Sequence, residues 1–148
     1  MGDNLVLHTD LYQINMMQVY FEKGISEKRA VFEVYFREMP FKNGYAVFAG
    51  LERVVSYLKD LHFDEAAIAY LRELGYPEAF LTYLSAMRFT CDVKSVKEGD
   101  LVFANEPIMQ IEGPLAQCQL VETAILNIVN FQTLIATKAA RIKSVIGD

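Results

Sequence analysis

The sequence has few cysteines, and they form no motif. Cys91 and Cys118 are the only two among 148 residues; both have apolar neighbours, and there is no CxxC pair. This pattern argues against a zinc site and against a disulfide-rich secreted domain, and it favours a reducing, cytoplasmic location. We therefore predict that this chain holds no metal.

The sequence also lacks an excess of positive charge and a long apolar run. Its formal net charge is −5, whereas nucleic-acid binding needs a basic surface. Asp3 and Asp10 bracket the short apolar run at 5–7, so we predict no signal peptide. No uninterrupted apolar segment approaches the about 20 residues of a membrane span. With 53% hydrophobic and 22% charged residues, the composition indicates a globular protein without a nucleic-acid or membrane partner.

Several catalytic and binding motifs are absent as well. There is no GxGxxG, GxxxxGK[ST] or GxSxG sequence. The histidines, His8 and His62, have no obvious catalytic partner and are interpreted as surface or packing residues. The short β-segments around Gly99 look like part of a biotinyl or lipoyl carrier, but no lysine between Lys97 and Lys138 offers an attachment point. A small β-layer is the better interpretation.

The residues that are present predict alternating helices and strands. A first helix begins at Thr9 or Asp10, where Asp10 and Gln13 are compatible with a capping box, and it ends at Gly24. Alternation and β-branched residues predict strands, and apolar residues at helical spacing predict helices. The predicted strands are 30–36, 46–49, 92–96, 101–103 and 108–111, and the further helices are 51–58, 65–74 and 78–85. Asp64 is the predicted cap of the helix 65–74, and Gly75 is its predicted end.

From Leu115 onward the sequence is helical, and between Leu120 and Ile135 it is apolar almost all round. This stretch is therefore expected to be buried on most sides. Polar residues from Asn130 to Thr133 predict a bend or a break between two helices. The order of helix, strands, helices, strands and helices indicates an α+β fold, with an antiparallel or mixed sheet and helices on one face.

Three polar side chains have both a plain and a functional interpretation. Tyr12 is either a core or rim aromatic or a stacking surface for a planar ligand. Asp10 is a helix cap by default. Arg37, which follows a predicted strand next to Glu38, forms either a surface ion pair or a clamp for phosphate or carboxylate.

Three segments carry a specific resemblance: HTDLYQINMMQVYF, FEVYFREMPFKNGYAVFAGLERVVSYL and VETAILNIVNFQTLIATKAARI. In this order they resemble the N-terminal portion of bacterial nicotinate phosphoribosyltransferases. The resemblance covers nearly the whole chain. The TDLYQ turn and the FREMPF and GYAVFAGL stretches are its most diagnostic parts.

The resemblance implies an activity and an architecture. The family couples nicotinate to phosphoribosyl pyrophosphate, giving nicotinate mononucleotide and pyrophosphate in NAD salvage, and ATP hydrolysis drives the reaction through a phosphorylated histidine. The implied fold is an open-faced α/β sandwich packed on an irregular α/β barrel, as in type II phosphoribosyltransferases. Members are homodimers in which the N-terminal domain of one subunit completes the site on the barrel of the other.

Site residues follow by position. By resemblance, Tyr12 stacks on the pyridine ring across the dimer interface, Asp10 supports that turn, and Arg37 reaches phosphate groups of the substrate. No catalytic residue is expected in this chain, since neither His8 nor His62 lies in the context of the phosphorylated histidine. The last helix leads into the barrel and is expected to play a mostly structural role there. It contains four polar residues: Asn130, Gln132, Thr133 and Thr137.

The helical pattern runs almost to the last residue, and family members are much longer. We therefore expect residues 1–114 to form the sandwich and 115–148 to be buried helices leading into a barrel that is absent from this chain. Mg²⁺ and the co-substrate ATP are expected on that barrel, and the chain alone is expected to be inactive. The alternative is a truncated, non-catalytic interaction or regulatory module that pairs with a separate barrel subunit.

Overall fold

Residues 5–42 and 44–146 are described by a computed structural model. They form five helices, five strands and one 3₁₀ turn over Pro40–Lys42. The helices are α1 (Leu11–Glu22), α2 (Leu51–Asp60), α3 (Glu65–Glu73), α4 (Glu78–Ala86) and α5 (Leu115–Ile146). The strands are β1 (Arg29–Val34), β2 (Ala46–Val47), β3 (Asp92–Ser95), β4 (Leu101–Val102) and β5 (Met109–Pro114).

Two antiparallel sheets organise the chain. The larger has the order β1-β5-β3, with Arg29 opposite Pro114 and Asp92 opposite Glu112. The smaller pairs β2 with β4, with Ala46 opposite Val102. Of the two arrangements that the sequence predicts, antiparallel and mixed, the described part of the chain has the antiparallel one.

The core lies between the larger sheet and the first half of α5, with α1 packed on the same helix. Side chains of β5 alternate, so that Met109 and Ile111 are buried. They belong to the same apolar core as Leu120, Val121 and Ile125 of α5. The predicted α+β fold is therefore confirmed, and its central element is a helix that covers a three-stranded sheet.

Helix boundaries follow local chemistry in most places. Gly24 has a φ of +66° just after α1, and Gly75 has a φ of +89° just after α3, a conformation that glycine adopts without steric cost. Asp64 caps α3 through a 2.8 Å hydrogen bond from the Ala67 N–H to its Oδ1. These three predicted boundaries are confirmed.

The predicted break in the last helix is wrong, because α5 is one continuous helix of 32 residues. The Thr133 hydroxyl accepts a 3.1 Å hydrogen bond from the Ala49 N–H and donates one to the Ala49 carbonyl. The Thr137 hydroxyl accepts a 2.9 Å bond from the Val47 N–H. These polar residues face the chain around β2, so they serve tertiary contacts instead of ending the helix. The predicted structural role is confirmed for Thr133 and Thr137.

Only the first half of α5 is buried as expected. Most buried side chains of α5 lie between Ala116 and Val129, and beyond them Thr133 and Thr137 are buried, whereas Phe131, Leu134 and Ile135 are exposed. By length and composition α5 passes as a membrane-spanning helix, with a mean hydropathy of 1.3 over its most apolar window, of which 39% is buried. Core helices of soluble proteins meet the same criterion. The expectation of no membrane partner stays a prediction, as does the division at residue 114.

Candidate substrate-binding site

The start of α1 is anchored to α5 instead of being capped by its own side chains. Asp10 occupies the N-cap position, but its carboxylate makes no capping bond. Asp10 Oδ2 instead accepts a 2.9 Å hydrogen bond from the Thr123 hydroxyl of α5. The Thr9 hydroxyl likewise donates to the Leu120 carbonyl, at 3.2 Å. The predicted capping box with Gln13 is therefore wrong, and both polar side chains fix the position of the turn.

Tyr12 lies next to this anchor with its ring turned outward. Its side chain is half exposed, and its hydroxyl accepts a 3.0 Å hydrogen bond from Gln13 Nε2. Partial desolvation raises the pKa of Tyr12, and the carboxylates of Glu122 and Asp10 raise it further. The phenol is therefore neutral at physiological pH. It offers an aromatic face rather than a charge or a general base.

The buried side-chain amides of Gln13 and Gln119 hold the turn that carries Tyr12 in place. Gln13 is fully buried, and its Nε2 also donates to the Thr123 hydroxyl at 3.1 Å. Gln119 Nε2 donates to Gln13 Oε1, and the Tyr20 hydroxyl donates to Gln119 Oε1 at 3.3 Å. Because buried polar groups bind in fixed geometry, this network orients the Tyr12 turn. Sequence reasoning missed Gln119. A glutamine within a strongly apolar helix could have indicated a buried hydrogen bond at this position.

Arg37 lies apart from this network. Arg37 follows β1 in the sequence. The carbonyl of the residue before it, Phe36, accepts a 2.7 Å hydrogen bond from the Asn105 N–H. The Arg37 side chain is exposed. Within residues 5–42 and 44–146 the guanidinium forms no ion pair, with Glu38 or any other residue. The structure thus brings Asp10 and Tyr12 together, whereas no hydrogen bond or ion pair joins Arg37 to them.

A cavity of about 260 Å³ opens near the same turn. Its polar lining includes His8, Arg53, Asn127 and Gln132, and Phe131 adds an exposed ring. A guanidinium and two amides are groups that bind carboxylate or phosphate. The sequence predicted His8 as a surface or packing residue, and the structure shows it exposed. Sequence reasoning missed Arg53 and Asn127, since neither stands in a recognisable motif.

His62 belongs to another part of the domain. Its Nδ1 lies 2.7 Å from the Asp60 carbonyl at the end of α2. His62 is exposed, which matches the surface alternative of the predicted surface or packing role. Among the described residues there is no cluster of three or more His, Cys, Asp or Glu side chains that could hold a metal ion.

Comparisons with known proteins agree with the resemblance. The family model described as the nicotinate phosphoribosyltransferase N-terminal domain matches residues 7–130. Nicotinate phosphoribosyltransferase of Bacillus subtilis is 61% identical over 147 residues, which cover 99% of this chain and 30% of that protein. The Caenorhabditis elegans protein of the same name is 41% identical, covering 98% of this chain and 27% of the relative.

Solved structures match as well. The crystal structure of human nicotinic acid phosphoribosyltransferase superposes with a TM-score of 0.88 at 35% identity, over 95% of this chain and 29% of the human chain. Nicotinate-nucleotide pyrophosphorylase from Pyrococcus furiosus matches with a TM-score of 0.62 at 22% identity, over 87% of this chain and 26% of that chain, and so shares the fold.

The chain spans about 30% of the length of the curated relatives that it matches. The family model covers most of the chain. The chain belongs to the nicotinate phosphoribosyltransferase family and corresponds to its N-terminal domain.

Proposed function

We propose that this chain is the substrate-orienting part of an enzyme that joins nicotinate to phosphoribosyl pyrophosphate, giving nicotinate mononucleotide and pyrophosphate for NAD salvage. The observation that carries the proposal is the half-exposed Tyr12 ring beside the Asp10–Thr123 hydrogen bond. Membership of the family supports the choice of substrates, since the relatives are named for the transfer of a phosphoribosyl group to nicotinate. On this proposal the chain alone is inactive.

Tyr12 is proposed to orient the pyridine ring. In the reaction a bond forms between the ring nitrogen of nicotinate and the anomeric carbon, while the bond from that carbon to the pyrophosphate oxygen breaks. Positive charge builds on the ribose as the bond breaks. A flat aromatic face that stacks on nicotinate holds the nitrogen in line for attack. The raised pKa keeps the Tyr12 phenol neutral, so it is not a general base, and the role proposed for it is positioning.

Arg37 is proposed to bind phosphate groups of phosphoribosyl pyrophosphate. Within the described residues its guanidinium has no ion-pair partner, so its donors are available to a ligand. A guanidinium matches phosphate oxygens in a bidentate geometry that lysine lacks. Asp10 is proposed to act indirectly, by holding the turn that carries Tyr12.

ATP hydrolysis and Mg²⁺ complete the proposal for the whole enzyme, which would place it among ligases. Among the described residues no cluster of acidic, cysteine and histidine side chains fits a metal ion. We therefore propose the barrel domain, and not this chain, as the place where Mg²⁺ and ATP bind, and no residue of this chain receives a role toward either.

We also propose a homodimer in a cytoplasmic setting. An outward-facing Tyr12 needs a second surface to form a sandwich around a planar ring, and the neighbouring subunit would supply it. Exposed apolar side chains on the second half of α5 support contact with a further domain: Leu134, Ile135, Ile142, Val145 and Ile146. Free Cys91 and Cys118 support a reducing compartment.

The test is an assay on the whole protein that contains this chain. Formation of nicotinate mononucleotide and pyrophosphate is followed with nicotinate, and in parallel with nicotinamide, each with and without ATP. Product from nicotinate, increased by ATP, is the expected result, and light scattering should give the mass of a dimer. Product that appears only after a separate barrel protein is added would support the interaction-module alternative, and no product in either case would overturn the proposal.

A further inference from the structure

The two cysteines, far apart in sequence, meet where β3, β5 and α5 come together. Their Sγ atoms are 3.9 Å apart across 27 positions of sequence. Cys91 immediately precedes β3, and Cys118 lies in the first turns of α5. Each thiol is therefore held by a different element of the sandwich.

Gly113 makes this approach possible. A Cβ at Gly113 would lie 2.6 Å from Cys91 Sγ and 2.9 Å from Cys91 Cα. Real Cβ atoms essentially never come that close, so the backbone at Cys91 can reach this position only beside glycine. The juxtaposition of the thiols is thus built into the β3–β5 edge.

Each thiol also lines a cavity. Cys118 contributes to a cavity of about 200 Å³ between β1 and α5, beside Phe32 and Leu126. Cys91 lines a different cavity of about 390 Å³, beside Val55 and Phe89. Cys91 is partly exposed, whereas Cys118 is fully buried, so a molecule as small as hydrogen peroxide would reach the Cys118 sulfur by way of the first cavity.

The hydrogen bonds around the pair give the two sulfurs different chemistry. Either sulfur can donate in the contact between them. With Cys91 as the donor, this hydrogen bond raises the pKa of Cys91, and burial raises it further. The same hydrogen bond lowers the pKa of Cys118, and a hydrogen bond with the Gly113 backbone lowers it again. Of the two thiols, Cys118 is consequently the one that ionises more readily and the better nucleophile, while Cys91 holds its proton more tightly.

We propose that Cys91 and Cys118 form a redox modification site, which a peroxide converts into an intramolecular disulfide. The Cys118 sulfur attacks one peroxide oxygen, the O–O bond breaks, and the leaving hydroxide takes the proton of the Cys118 thiol to form water, giving a sulfenic acid. The Cys91 sulfur then attacks the Cys118 sulfur, the S–O bond breaks, and the leaving hydroxide takes the Cys91 proton. Two thiols and one peroxide give one disulfide and two water molecules.

The movement that this reaction requires is small. The sulfurs must close from 3.9 Å to the about 2.05 Å of a disulfide bond. The bond would tie the segment before β3 to the start of α5 and restrict the unfolded chain between them. We expect the oxidised protein to melt about 5–10 °C above the reduced protein.

The test is peptide mapping of the full-length, folded protein after brief treatment with stoichiometric hydrogen peroxide and alkylation of the remaining thiols. The expected product is a pair of peptides, one with Cys91 and one with Cys118, joined by a disulfide within a single chain. Dithiothreitol should reduce this disulfide. Both thiols still fully alkylated, or disulfides only between chains, would overturn the proposal.

Two variants test the order of the steps. In Cys91→Ser the sulfenic acid at Cys118 has no resolving thiol, so dimedone should capture it. In Cys118→Ser, Cys91 should stay reduced under the same exposure. Dimedone capture at Cys91 and not at Cys118 would contradict the proposed nucleophile. Since the wild-type map is independent of both variants and of any enzymatic assay, the site remains testable if a variant fails to fold.

Discussion

The Thr123 hydroxyl donates a 2.9 Å hydrogen bond to Asp10 Oδ2, joining the start of α1 to the middle of α5 across 113 positions of sequence. Thr123 also accepts a bond from Gln13 Nε2 at 3.1 Å. One side chain of α5 therefore holds both polar groups that flank Tyr12. The orientation of Tyr12 depends on this tertiary contact and not on a local helix cap.

A double-mutant cycle measures that contact. Thr123→Val and Asp10→Ala should each lower the free energy of unfolding by about 1 kcal/mol, since each removes one partner of a hydrogen bond. The double variant should lose about 0.5–1 kcal/mol less than the sum, because the shared bond is lost only once. Urea unfolding of the four proteins gives these values. Strictly additive effects would show that the bond contributes nothing to stability.

Arg37→Ala should weaken binding of phosphoribosyl pyrophosphate and leave stability nearly unchanged. Within the described residues the guanidinium has no ion-pair partner, so its removal costs the folded chain little. Steady-state kinetics of the whole enzyme should show a raised KM for phosphoribosyl pyrophosphate, with the KM for nicotinate less affected. Arg37→Lys, the matched control, should fall between wild type and Arg37→Ala. A lower Tm with unaltered kinetics would make Arg37 structural.

Gly113→Ala should destabilise the chain by about 1–3 kcal/mol, since the added methyl group meets the backbone of Cys91 as well as its side chain. Gly44→Ala is the matched control, because its added Cβ meets no atom within 4 Å. Its effect should stay below about 1 kcal/mol. Thermal melts of both variants test the prediction, and equal Tm values would contradict it.

Tyr83 should make stability fall with rising pH in the alkaline range. Burial, with help from the Glu27 carboxylate, raises the pKa of Tyr83 from 10.0 to about 12. The unfolded chain therefore loses this proton first, and stability that is fully present below pH 10 is lost between about pH 10 and 12. Tyr83→Phe keeps the ring and removes this contribution. Urea unfolding from pH 9 to 12 should show that the free energy of unfolding falls more steeply with pH in wild type than in Tyr83→Phe. The same pH dependence in both proteins would contradict the account.

Local sequence signals predicted the elements that local chemistry determines. Alternating residues placed β1 and β5, and Asp64 and Gly75 marked the ends of α3. Two polar residues whose roles were mistaken or missed act between elements that are far apart in sequence. Thr133 looked like a helix break but binds both backbone groups of Ala49. Gln119 looked like one polar residue in an apolar helix but binds Gln13.

The same reason explains what could be predicted of the site. Tyr12 and Asp10 stand in one short motif, so the sequence identified them through the resemblance. Thr123, Arg53 and Asn127 come from helices that meet only in the folded chain. No periodicity or spacing encodes that meeting. The proposed roles of Tyr12, Arg37 and Asp10 stay predictions until kinetics test them.

The most direct test of the central claim is the KM for nicotinate of the whole enzyme carrying Tyr12→Ala, compared with Tyr12→Phe. If Tyr12 positions the pyridine ring by stacking, the alanine variant should raise this KM by about 2- to 13-fold or more, since an aromatic pair contributes about 0.5–1.5 kcal/mol beyond its buried area. The phenylalanine variant, which keeps the ring and loses only the hydroxyl, should stay near wild type. An unchanged KM in Tyr12→Ala, with the protein folded, would contradict the account.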